Sequence, residues 1–156
     1  QAVAVAAPER VAEPGPAAEP AATATAPPTS TLAEQLKVYD SGRAALKGGK
    51  LAEAEQLFSS YLKRFPGGEL TREARLSLLE TMHRAGKWAK SAALSRSLVG
   101  SSGRRKGELW RMNGEALSKL KRCDEAAAAL AAAVQIGGAG LSAAEATRMV
   151  DACRGH

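Results

Sequence analysis

An all-α fold is expected, and three observations predict it. Apolar residues recur at helical spacing wherever the chain shows a period at all. Runs of the strand-favouring Val, Ile and Thr are absent, and aromatic residues make up only 4% of an alanine-rich composition. Small and large residues also return in a fixed skeleton. Between Gln35 and Gly68, Gly42 precedes Ala54 by twelve residues, Ala54 precedes Phe58 by four, and Phe58 precedes Pro66 by eight. With 156 residues there is room for one domain with a single core, for which neither metal nor disulfide is obligatory.

Residues 1–30 cannot build part of that core. They hold six of the seven prolines (Pro8, Pro14, Pro16, Pro20, Pro27 and Pro28) among alanines, with Val3, Val5 and Val11 the only larger apolar side chains. Proline at this density favours extended, hydrated backbone, so a semi-rigid tether is expected, with a tail of no specific role as the alternative. No basic segment leads into a hydrophobic one and the sequence opens at Gln1 without an initiator Met, so a processed or trimmed N-terminus is expected. The stretch carries Glu9, Glu13 and Glu19 against Arg10, a charge of −2 within an overall +6, which leaves +8 on the remainder. A balance that basic attracts acidic partners of any class without choosing among them.

The folded domain is expected over 31–156, starting where Thr31 and Glu34 form a capping-box pattern. Leu32, Leu36 and Tyr39 give the first helix its period, and Gly48-Gly49 ends it. A second helix from about Leu51 to Arg64 places Leu51, Ala54, Leu57, Phe58, Tyr61 and Leu62 on one face and stops at Pro66-Gly67-Gly68. A second unit spans about 72–105, with Thr71 expected as its N-cap, Leu76, Leu79 and Met82 on its first helix, and Gly86 at the turn. Its second helix starts at Trp88, but Ser91 and Ser95 stand where the first unit has Ala54 and Phe58. Either the unit is degenerate or this helix is rotated or slipped. The third unit, about 107–140, recovers the skeleton with Trp110, Gly114, Ala126 and Leu130. A last helix over 142–153 opens on a second capping box, Ser142 with Glu145.

The Gly, Ala, aromatic and Pro spacings resemble the tetratricopeptide repeat over residues 35–140, closely in the first and third units and weakly in the second. That resemblance implies a short solenoid of about three helix-turn-helix repeats, closed by a capping helix that covers the last repeat. With its Ala/Pro segment, short array and paired cysteines, the chain is similar to bacterial envelope repeat proteins: the Tol-Pal-associated periplasmic protein, the outer-membrane assembly lipoprotein, and the C-terminal repeats of FecR-like or anti-sigma regulators. Such proteins bind a segment of another protein in the groove formed by successive first helices. The resemblance implies groove residues Leu36, Tyr39 and Arg43, then Leu76, Glu80 and His83, then Arg111, Glu115 and Lys119. A chaperone-tail receptor is disfavoured, because Arg43, Glu80 and Glu115 stand where a carboxylate clamp would use asparagine. In this arrangement Cys123, opening the second helix of the third unit, faces Cys153 at the end of the capping helix. A disulfide there and two reduced thiols are both open readings, and export, suggested by the tether, favours the bond.

Chemistry beyond binding finds little support in the sequence. There is no G-x-S-x-G elbow, H-E-x-x-H, Walker loop or dinucleotide fingerprint, so no enzyme activity and no cofactor are expected. The C-x-x-H of Cys153 and His156 is a weak metal signal, and His83 is expected as an ordinary exposed groove residue. Arg104-Arg105-Lys106 and Lys119, Lys121 and Arg122 are dense positive clusters near turns. They read as solvated edges, or as the surface of a cytosolic nucleic-acid-binding or regulatory module, which is the alternative function. The expected location is the periplasm or its membrane face, with the cytoplasm as the alternative.

Overall fold

The computed structural model describes residues 30–101 and 103–155. Residues 1–29 of the expected tether, and the His156 of the C-x-x-H signal, lie outside them. Among the described residues there are seven α-helices and no strand: α1 Leu32–Lys47, α2 Leu51–Arg64, α3 Thr71–Arg84, α4 Trp88–Leu98, α5 Lys106–Lys119, α6 Cys123–Ile136 and α7 Ala143–Arg154. Each helix packs on the next, and α1 also meets α3 while α5 meets α7. Short 3-10 turns, Val99–Ser101 and Gly103–Arg105, lead from α4 towards α5.

Both capping boxes form. Thr31 Oγ1 accepts from the Glu34 amide at 3.3 Å while the Thr31 amide donates to Glu34 Oε2 at 3.2 Å. Ser142 and Glu145 repeat the exchange at the start of α7, at 3.2 and 2.9 Å. The expected Thr71 cap does not form, because Leu70 occupies the cap position. The Tyr61 hydroxyl, reaching from α2, takes the Leu70 amide at 3.1 Å and donates to Gln35 Oε1 at 2.8 Å, which ties the start of α3 to α1 and α2. Thr71 instead donates to the Phe65 carbonyl at 3.3 Å.

The same turn joins α1 to α2, α3 to α4 and α5 to α6. Its left-handed residue is Gly49 at φ 76°, Gly86 at φ 69° and Lys121 at φ 60°. The residue that follows bonds back to the carbonyl five positions earlier each time: Lys50 to Ala45, Lys87 to Met82 and Arg122 to Leu117, at 2.9, 2.9 and 3.0 Å. Lys121 adopts a conformation that costs a side-chain-bearing residue about 1 kcal/mol, where the other two turns use glycine.

Equivalent positions on the paired helices carry the core. Ala54, Ser91 and Ala126 are fully buried, and so are Phe58, Ser95 and Leu130. The register of α4 is therefore kept, and the second unit differs in composition rather than in placement. A Cβ on Gly42 would fall 2.7 Å from the Phe58 ring, and one on Gly114 would fall 2.6 Å from Leu130. In the second unit the sizes are exchanged, with Leu79 at the glycine position and Ser95 at the large one, both buried. The polar atoms this brings into the core are bonded. Ser95 Oγ donates to the Ser91 carbonyl at 2.7 Å, and Asn113 Nδ2 reaches the Ala92 carbonyl at 2.8 Å and Ser95 Oγ at 3.1 Å.

Cys123 and Cys153 are joined by a disulfide, with Cα atoms 5.7 Å apart. It ties the start of α6 to the end of α7. Lys121 Nζ on the Cys153 carbonyl at 3.2 Å and the Arg154–Asp124 ion pair at 2.9 Å lie alongside. No helix among the described residues is long and apolar enough to cross a membrane.

Candidate functional site

The first helix of each unit places one charged residue directly after its small or large core residue: Arg43 after Gly42, Glu80 after Leu79 and Glu115 after Gly114. These side chains connect across units. Arg43 pairs with Glu80 at 3.7 Å, both about half exposed, and Glu80 also approaches Arg84 at 4.0 Å. Tyr39 packs on Phe58 and Tyr61, with ring centroids 5.8 and 6.4 Å away, and its hydroxyl lies 3.4 Å from Ser77. Leu36 is 39% exposed on α1, whereas Leu76 packs against the Leu79, Leu98 and Leu109 cluster and offers less open surface.

The densest constellation lies between α3 and α5. His83 is not the exposed residue expected, since its side chain is only 17% exposed. Its Nε2 lies 2.8 Å from Glu115 Oε2 and its Nδ1 2.9 Å from the Ser91 hydroxyl. A carboxylate can only accept, so Nε2 carries a proton, and Nδ1 either accepts from Ser91 in the neutral ring or donates to it in the charged one. The ring also stands edge-on to Trp88, 5.2 Å between centroids, and Lys119 Nζ lies 6.0 Å from the same Trp88 ring. Arg111 donates to the other Glu115 oxygen at 2.8 Å, while its buried Nε has no partner among the described residues. Burial pushes the Glu115 carboxyl up, but the His83 hydrogen bond and the Arg111 and His83 charges outweigh it, and the net shift is downward.

Ser91, His83 and Glu115 are the residue types of a hydrolytic triad, connected in sequence. The Ser91 hydroxyl belongs to a residue with no exposed surface, and α4 and its neighbours cover it. A nucleophile must reach a substrate carbonyl, so in this conformation the arrangement is a buried polar link rather than a reacting centre. Among the described residues no three His, Cys, Asp or Glu side chains converge to hold a metal ion.

Two cavities flank the constellation. One, of about 440 Å³, is bounded by His83, Trp88, Glu115, Lys119 and Lys121, with Met149 and Cys153 of α7 opposite. The other, of about 410 Å³, lies between Arg111 of α5 and Arg148 of α7. Sequence reasoning did not find Ser91, Trp88, Lys121 or Met149 as parts of this site. Two of them left a signal: Ser91 as a hydroxyl at a core alanine position, Lys121 as a lysine aligned with two turn glycines. The dense clusters elsewhere are engaged locally, Arg105 with Glu108 at 2.9 Å and Arg122 with Glu125 at 2.6 Å. No protein-family model and no curated protein matches this sequence.

Proposed function

We propose that this chain is a non-catalytic protein-interaction module of tetratricopeptide type, working as a scaffold or sensor domain in a bacterial envelope protein. It docks a segment of a partner protein along the face made by α1, α3 and α5. The observation that carries the reading is the pairing of first-helix residues across units, Arg43 with Glu80 and His83 with Glu115, which makes one continuous polar face from three helices. The repeated turn supports the repeat reading, since one geometry recurs at Gly49, Gly86 and Lys121. The Cys123–Cys153 bond supports an oxidising compartment such as the periplasm.

Selection from a displayed library of random peptides tests this, followed by titration of the enriched peptides against variants. Tyr39→Ala and Glu80→Ala on the first-helix face should each weaken binding, while Ala89→Glu on α4 should leave it within about twofold. Enriched peptides that respond only to the α4 substitution would overturn the proposed face. Tight oligonucleotide binding that falls steeply with salt would move the chain to the nucleic-acid class.

A further inference from the structure

The two cavities beside His83 and Glu115 adjoin, with Glu115, Met149 and Ala152 in the walls of both, and together they line one trough. Its walls come from α3 and α5 on one side and α7 on the other. Four cationic side chains line it, Lys119, Lys121, Arg111 and Arg148, against two carboxylates, Glu115 and Glu145. Both carboxylates are already engaged. Glu115 is held by His83 and Arg111, each at 2.8 Å, and Glu145 closes the α7 capping box on Ser142 at 2.7 to 2.9 Å. The trough therefore presents an excess of positive charge that its own acids do not neutralise.

Its floor is partly apolar. Trp88 and Met149 are half-buried and face the same cavity from opposite walls. A cavity of some hundreds of Å³ with aromatic and thioether walls takes a side chain and a short run of backbone, more than a lone anion needs. Lys121 adds a further indication. It holds a left-handed backbone at φ 60° where both sister turns have glycine, and its ammonium is directed across the trough to the Cys153 carbonyl at 3.2 Å. Lysine at this position costs stability and adds a cation at the rim of the cavity.

We infer that the trough between α3, α5 and α7 binds an extended acidic peptide segment, one apolar side chain seated between Trp88 and Met149 and carboxylates on Lys119, Lys121 and Arg148. This rests on the protein-binding function proposed above and names the place and the chemistry of the ligand. It moves the main contacts away from the Arg43 end of the face, where Arg43 already has Glu80 opposite it. Charge complementarity selects the occupant, since a basic segment would meet the like charges of Lys119, Lys121 and Arg148.

The test uses the full chain and a labelled peptide with two glutamates on each side of a phenylalanine, followed by fluorescence anisotropy at low salt. A matched peptide with lysines for the glutamates is the control. The acidic peptide should bind and the lysine peptide should not. Lys119→Glu and Arg148→Glu, both on exposed side chains and so compatible with folding, should each weaken binding roughly fivefold to tenfold. Lys63→Glu, on the exposed side of α2 and away from the first-helix face, should leave it within about twofold. Equal binding of the two peptides, or undiminished binding by the Lys119 and Arg148 variants, overturns the trough. Sensitivity to Arg43→Glu alone overturns the trough but keeps docking on the first-helix face. Failure of the acidic probe, together with failure of the library to enrich any peptide, removes both. A duplex oligonucleotide that binds more tightly than the acidic peptide and responds to the same variants replaces the peptide with nucleic acid.

Discussion

At the scale of single residues, Glu115 decides the state of the constellation around it. Its folded carboxyl titrates below the ordinary carboxylate value, so it contributes stability that is present above the unfolded pKa and lost as pH falls through the folded one. Glu115→Gln removes the charge that His83 and Arg111 both engage. It is expected to cost about 1.5 kcal/mol at neutral pH and to flatten the acid limb of stability, as chemical denaturation at a series of pH values would measure. If the variant keeps the wild-type acid limb, Glu115 is not the group that titrates. His83 shows how a local reading fails here: its sequence neighbours are those of an exposed helical residue, and only the approach of Ser91 and Glu115 from other helices buries it.

Helices and their pairings are the scale at which the sequence was most legible. The bounds of α2, the first turn of α4 and both capping boxes follow from residues within a few positions of each other, and each is found as expected. Thr71 failed as a cap because the helix starts one residue earlier than expected and its hydroxyl is turned to the Phe65 carbonyl. The second unit was ambiguous because its skeleton conserves volume across a pair rather than residue type at a position. By position, Leu79 and Ser95 stand where Gly42 and Phe58 stand in the first unit, and both are buried. A double-mutant cycle tests this exchange. Ser95→Leu alone should overpack by about 1–3 kcal/mol and Leu79→Gly alone should cost about 3 kcal/mol or more, while the double variant should cost less than their sum. Additive costs would mean that the two side chains do not share one space. The disulfide also belongs to this scale. Its sequence separation of 30 gives about 3–4 kcal/mol in the chain-entropy view, so Cys123→Ser with Cys153→Ser should lower unfolding stability by that order, α7 loosening first.

Across the whole molecule the two ends differ. Leu32 and Leu36 leave α1 partly open, 51% and 39% exposed, and α1 packs on α2 and α3. The far end is closed by α7, which packs on α5 and α6 and is covalently held. Where each element is stabilised by its neighbours, protection follows the number of them. Native-state amide exchange should therefore be fastest in α1 and slowest in α5 and α6, and a uniform rate along the chain would contradict the end-to-end difference.

That succession of neighbours also bears on time. Every helix finds its main partner immediately before or after it in the chain, so few loops must close over long distances before contacts form. Chains with such local wiring reach the native state in roughly microseconds to milliseconds, far faster than sheets of similar stability. With the disulfide left intact, refolding from denaturant should be complete within about that range.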